Sequence, residues 1–324
     1  MRGDTITAST GPPRGSLRLT VAGLRIHCLI AGADGPAVML LHGSAFDAAG
    51  VSFGATISVL AARCRVFAPD LPGFGESDPM PSGWGFAEHS AFLAPLLAEL
   101  GLSRVALVGV SMGGGIALGF ALDAPERIER LVLINSACLD DTLPGGRATW
   151  FGVHMPGVSA LQWRVLASSQ RLTRLMLQGA MPHRPAPPPI DLLDHVTRLL
   201  RKPHAAAAFR EWERREVGWH GLRTCYVDRL SSLDVPTLVL HGADDPLIPI
   251  AVAERASRLL PNARLEVIPD CGHLAPLDAP EAVTRALSDF LLPVQQPHHN
   301  RRSELRLPIA HGTRSLRDGI DGGE

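Results

Sequence analysis

Arg104-Val-Ala-Leu-Val-Gly-Val-Ser-Met-Gly-Gly-Gly-Ile-Ala-Leu118 decides the reading of this chain. An apolar, β-branched run stops at Gly109-Val110-Ser111-Met112-Gly113 and resumes with helix-like spacing. This predicts a strand, a sharp turn and a helix with serine at the apex. Such an apex demands an unusual backbone angle at the serine, and flanking glycines remove the Cβ atoms that would collide where strand and helix approach. Ser111 is therefore expected to stand exposed, its hydroxyl off the end of a strand.

The five-residue pattern is weak without its setting. Gly50-Val51-Ser52-Phe53-Gly54 fits it equally well, but follows Asp47-Ala-Ala with no strand before it. The strand–turn–helix context selects Ser111 over Ser52 as the nucleophile.

At 324 residues the chain can bury a substantial core, and its length suits one domain with an insertion or two small domains. A formal charge of -1 argues against an electrostatic nucleic-acid partner. Lys202, the only lysine, sits in a polar Arg-Lys-Pro-His context that gives a Schiff-base mechanism no motif. The N-terminus has no apolar stretch resembling a signal peptide, and no run of about 18 apolar residues suggests a membrane span. A soluble, cytoplasmic protein acting on a small molecule, with no membrane partner, is expected; its oligomeric state stays open. Five scattered cysteines (28, 64, 138, 225 and 271) include no C-x-x-C pair, so buried thiols are expected rather than disulfides or zinc. Cys271 lies two residues from His273, which by itself does not make it a nucleophile. H-E-x-x-H, G-x-x-x-x-G-K and G-x-G-x-x-G are absent, so no metal or cofactor is implied.

Around the elbow, the chain alternates strands and helices. Residues 1–15 read as a flexible arm. Ser16–Val21 and Arg25–Ile30 read as an opening hairpin in which His27 is a strand-face residue. Strands follow at 37–41, 65–70, 104–110, 128–134, 235–241 and 264–268, and helices at 86–100, 112–123, 251–260 and 280–292. Between about Cys138 and Leu230 long β-branched runs cease, while four of the five tryptophans appear among arginines and methionines. That length exceeds a bare crossover and predicts a helical cap with an apolar roof over the site. The expectation is an α/β fold, a mostly parallel central sheet with helices on both faces. Its core spans 16–137 and 231–292, its cap 138–230, and 293–324 forms a disordered tail.

Leu41-His42-Gly43-Ser44, Pro69-Asp70-Leu-Pro-Gly-Phe-Gly-Glu-Ser77, Gly109–Gly114, His241-Gly-Ala-Asp-Asp-Pro246 and Gly272-His273 occur in an order that resembles the α/β-hydrolase-fold enzymes. The resemblance covers residues 16 to 292 and implies a serine-nucleophile hydrolase with the chain order Ser111, Asp245, His273. It selects Asp245 over Asp244 as the acid, gives Asp70 a loop-holding role, and makes His42 an orienting residue rather than the base. The backbone N–H groups of Ser44 and Met112 would form the oxyanion hole. Relatives that displace halide or open epoxides carry aspartate at the elbow, where this chain has Ser111.

Within the serine branch the first expectation is hydrolysis of a small, largely apolar carboxylic ester or lactone. The alternatives are a carbon–carbon bond hydrolase of a vinylogous diketone acid, a cofactor-free perhydrolase, and, outside enzymes, a small-ligand binding protein. The carbon–carbon hydrolases usually show Asn before the serine and Trp after the histidine, where this chain has Val110 and Leu274. Such an enzyme would hold its acidic substrate through a cap arginine such as Arg147 or Arg164.

Overall fold

Short apolar runs separated by helices form a single sheet in the computed structural model, which describes residues 14–182 and 188–292. β1 (Arg14–Val21) and β2 (Leu24–Ala31) make an antiparallel hairpin through Ala22 and Gly23, both at positive φ. β1 starts two residues earlier than expected, inside the stretch read as an arm. The rest of that arm, 1–13, and the expected tail, 293–324, lie outside the described residues.

β3 (Ala37–Leu41), β4 (Arg65–Pro69), β5 (Val105–Val110), β6 (Ile128–Ile134), β7 (Thr237–Gly242) and β8 (Ala263–Ile268) complete the sheet. The order is β1-β2-β4-β3-β5-β6-β7-β8, parallel from β4 to β8 and antiparallel where β2 meets β1 and β4. β3, β5 and β7 are buried at every residue, which is why they read as unbroken apolar runs rather than alternating ones. Alternation survives in where the side chains go. Met39, Leu41, Leu131 and Leu133 pack into one face, while Val38, Leu40, Val132 and Ile134 pack into the other.

α2 (Phe86–Glu99), α3 (Met112–Asp123) and α9 (Ile250–Leu259) cover the first face, and α1 (Ala49–Leu60) and α11 (Pro280–Leu291) the second. No helix is legible at 49–60 from the sequence, because Gly50 and Gly54 lower its helix propensity. Burial of Ala49, Phe53 and Ile57 against the sheet overrides that preference.

Between β6 and β7 the described chain forms α4 (Gly146–His154), α5 (Val158–Ser168), α6 (Gln170–Ala180), α7 (Ile190–Leu200) and α8 (Pro203–Glu216). Trp163, Leu177, Met181, Leu193 and Val196 build a local apolar cluster resting on Phe46, Ala48 and Val51 at the start of α1. Lys202 fastens these helices to the loop after β4, donating to the Gly75 carbonyl at 2.9 Å and pairing with Glu76. Among the described residues no helix is long and apolar enough to cross a membrane. The five cysteines are free thiols, all buried except the half-buried Cys225.

The reversal from β5 to α3 is the tightest point of the core. Ser111 takes φ 53° and ψ -117°, outside the usual regions for a residue with a side chain. A Cβ on Gly109 would sit 2.2 Å from the Gly113 carbonyl oxygen, and one on Gly113 would sit 2.3 Å from the Leu41 carbonyl oxygen. Glycine is the one residue that lets β3, β5 and α3 converge here. Gly113→Ala is expected to destabilise the fold by about 2–4 kcal/mol in urea denaturation, because backbone atoms must move to admit the methyl. Gly54→Ala in α1, where a Cβ meets nothing within 4 Å, is expected to gain about 0.5–1 kcal/mol from helix propensity.

Candidate active site

Parallel neighbours end at the same edge of the sheet, so loops that follow them meet there. Ser111 caps β5, Asp245 lies three residues beyond β7, and His273 lies in the loop between β8 and the short α10 (Ala275–Asp278). The Ser111 Oγ is 2.9 Å from His273 Nε2, and His273 Nδ1 is 2.8 Å from Asp245 Oδ2. A carboxylate facing Nδ1 requires the proton on that nitrogen, which leaves the Nε2 lone pair to accept from the serine hydroxyl. Asp245 and His273 are buried, whereas Ser111 is half-buried and open to a cavity. Asp244, the adjacent acid, is exposed.

Asp245 is held from every side. Its Oδ1 accepts the amides of Leu247 and Ile248 at 2.8 and 2.9 Å, and its Oδ2 accepts the Asn135 side-chain amide at 2.8 Å. Burial alone would raise the Asp245 carboxyl, but His273 and these donors hold it below the ordinary carboxylate value. Asn135 follows β6 at φ 43° and also donates to the Gly272 carbonyl at 3.3 Å, joining the acid to the histidine loop. No sequence motif marks Asn135; its one signal is a polar residue directly after an apolar strand. His241 lies 3.6 Å from Asp245 and donates through Nε2 to the Ile248 carbonyl. Burial pushes its imidazole pKa down, so it stands beside the carboxylate as a neutral group.

The loop after β3 approaches Ser111 from the other side. His42 Nε2 accepts the Leu71 amide at 2.9 Å, so its Nδ1–H donates to the Gly43 carbonyl at 2.7 Å. Asp47 accepts from the Gly43 amide at 2.6 Å, the Ala48 amide at 2.8 Å and the Ser52 hydroxyl at 2.5 Å. Ser52 is thus a buried loop-holding residue within α1. Gly43 passes close enough to Ser111 that a Cβ built on it would lie 3.5 Å from the serine Cβ. The next amide, Ser44, borders the same cavity as Ser111, and the Met112 amide opens α3, where first-turn N–H groups have no intrahelical acceptor. Asp70 lies in a separate buried network, accepting from His27 Nδ1 at 2.8 Å and the Ala49 and Glu76 amides at 2.9 Å each. Burial pushes the Cys271 thiol up to about 12, which leaves no thiolate beside the histidine.

A cavity of about 270 Å³ opens above Ser111. Its floor is Ser44, Ser111, His273 and the Leu247–Ile248 loop, and its roof includes Leu139, Leu143, Phe209, Trp212 and Glu213. Of the tryptophans between β6 and β7, Trp212 alone lines it among the described residues. Trp163 packs on Phe209 within the local cluster, and Trp150 and Trp219 pack on each other near the surface. Arg147 lies over the Trp219 ring and Arg164 beside a surface depression near Trp163; neither lines this cavity. Among the described residues, no group of three or more His, Cys, Asp or Glu side chains could hold a metal ion.

Residues 38–286 match the model of the Alpha/beta hydrolase family, and the chain belongs to that family. It is a hydrolase on this fold. The chain is 32% identical over 275 residues, 82% of its length and 90% of the relative's, to a 2-hydroxy-6-oxononadienedioate/2-hydroxy-6-oxononatrienedioate hydrolase of Cupriavidus pinatubonensis. A thermophilic esterase from Thermogutta terrifontis is 27% identical with a TM-score of 0.64, covering 86% of this chain and 98% of that one. The 2-hydroxy-6-oxo-6-phenylhexa-2,4-dienoate hydrolase of Rhodococcus sp. strain RHA1 shares the fold at 22% identity and a TM-score of 0.71, covering 86% and 99%.

The Asp70 network carries a pH signature. Burial works against the charge, but the His27 hydrogen bond and the two amides hold the Asp70 carboxyl below its ordinary value. A carboxyl depressed on folding contributes stability above its unfolded pKa and loses it as pH falls through the folded value. Asp70→Asn is expected to destabilise the protein at about pH 7 and to show a weaker loss of stability than the wild type between about pH 5 and pH 3, measured by urea midpoints.

Proposed function

We propose that the protein hydrolyses a small, uncharged or cationic carboxylic ester or lactone through an acyl-enzyme on Ser111. The observation that carries this reading is the charge of the cavity. Among the described residues its lining includes the carboxyl groups of Asp140 and Glu213 and no arginine or lysine. A dienoic acid held over Ser111 would place its carboxylate beside those groups without a cation to offset it, which low dielectric makes costly. Val110 and Leu274 on either side of the reacting residues are apolar, and this also favours an ester.

The chemistry follows from the hydrogen-bond chain. His273 Nε2 takes the Ser111 proton as Oγ bonds to the acyl carbon, and the carbonyl electron pair moves onto its oxygen. The amides of Ser44 and Met112, the latter at a helix N-terminus, hold that oxyanion. The carbonyl re-forms as the bond to the leaving oxygen breaks, and the alcohol departs with the proton from His273. Water then repeats the sequence, giving its proton to His273 and releasing the acid and free Ser111. Asp245 stays ionised throughout and stabilises the imidazolium. Residues 138–230 serve as the cap that roofs the site; the support is their contribution of Leu139, Phe209 and Trp212 to the cavity.

A second reading, carbon–carbon bond hydrolysis, has its own support in the 32% identical Cupriavidus pinatubonensis hydrolase. The two readings separate in one assay. Short-chain p-nitrophenyl esters should be cleaved and an acidic 2-hydroxy-6-oxo-dienoate should not; the reverse result would overturn the ester reading. Ser111→Ala should lose turnover and labelling by a fluorophosphonate, whereas Ser52→Ala should keep its label. Asn135→Ala should lower kcat by about tenfold with KM nearly unchanged, because it frees the acid from its place behind His273 without touching substrate.

A further inference from the structure

The cavity contains two carboxyl groups that the proposed chemistry does not use. Asp140 has a local partner, its Oδ1 accepting the Thr142 amide at 2.8 Å. Glu213, on α8, is different: among the described residues no hydrogen bond or ion pair to its carboxyl is found. Burial pushes that carboxyl up to about 7, although Arg210, three residues earlier on α8, pulls the other way. Glu213 is half-buried at the cavity wall and has no counter-charge at bonding distance, so it gains from a ligand that brings one.

The surroundings favour the same kind of ligand. Trp212 and Phe209 line the cavity with Glu213, their rings stacked at 6.0 Å, and aromatic side chains attract cations. The Trp212 Nε1–H is also buried without a hydrogen-bond partner, a donor that an ester oxygen of the substrate, not its cation, would satisfy. Apart from Asp140 and the His273 imidazole the remaining lining is apolar or hydroxylic, with no arginine or lysine among the described residues.

We propose that Glu213, with Trp212 and Phe209, is a specificity site for an ammonium group, so that the preferred substrates are esters carrying a positive charge. This rests on the ester reading above. The cation takes the place of the missing counter-charge, and an anionic ester meets repulsion from the same residue.

The test uses the full-length protein and two isosteric substrates, an acyl ester of choline and the matching uncharged 3,3-dimethylbutyl ester. The wild type should favour the choline ester by about 10- to 100-fold in kcat/KM, the size of a hydrogen bond or contact to a charged group. In Glu213→Gln that ratio should fall to near one. The ratio cancels any general loss of activity, and fluorophosphonate labelling of Ser111 verifies that the variant is folded. A wild type that cleaves the uncharged ester equally well, or a Gln variant that keeps the preference, would overturn the proposal. If neither ester is cleaved, the ester reading itself fails, and Glu213 is then judged by calorimetry with uncleavable ether analogues of the pair. A cationic preference lost in Glu213→Gln supports the ammonium site, and equal affinities overturn it.

Discussion

The backbone of Ser111 is held at φ 53° by three constraints at once: β5 ends there, α3 begins within glycine-only distance of β5, and β3 passes within glycine-only distance of α3. That conformation costs on the order of 1–3 kcal/mol and persists only because the surrounding core over-determines it. Its effect is to lift the hydroxyl off the sheet edge while keeping the first amides of α3 behind it. A serine inside a helix, such as Ser52, has neither property, although its local sequence pattern is the same. Position on the sheet, not the pentapeptide, distinguishes the two.

Around this point the protein separates charge from solvent by distance. Asp245 is buried and satisfied by two backbone amides, Asn135 and His273, so it remains a carboxylate where water is scarce. Ser111 stays half-buried and faces the cavity. Between them His273 has both ring nitrogens engaged, and its own amide donates to the Ala180 carbonyl at the end of α6 at 2.9 Å. The helices between β6 and β7 are therefore tied to the histidine as well as to the cavity roof. The contrast between a well-satisfied Asp245 and a poorly satisfied Glu213 underlies the different roles proposed for the two acids.

Much of the fold was legible because buried parallel strands leave unbroken apolar runs, and glycine marks the places where backbone must approach backbone. The positions of Ser111 and Asp245 were readable for the same reason, since each follows such a run, whereas His273 follows the edge strand β8, whose run is broken by Arg264 and Glu266. The harder features depend on tertiary contact. α1 was hidden by its two glycines until Phe53 and Ile57 found the sheet. Asn135 has no spacing rule that ties it to Asp245, which is 110 positions away. The tryptophans were read together as a roof, yet burial sorted them into one cavity residue, one packing residue and a surface pair. Arginines named as candidate anion holders lie on the outer surface, a matter of helix rotation that composition does not fix.

The proposed acyl-enzyme requires Ser111 to carry the acyl group between the two halves of the reaction. The direct measurement is rapid acid quench of the enzyme mixed with excess p-nitrophenyl ester, followed by intact mass and peptide mapping. A burst of nitrophenol and a mass increase equal to one acyl group on the peptide containing Ser111 are expected. Turnover without any adduct, or an adduct on a peptide lacking that serine, would contradict it.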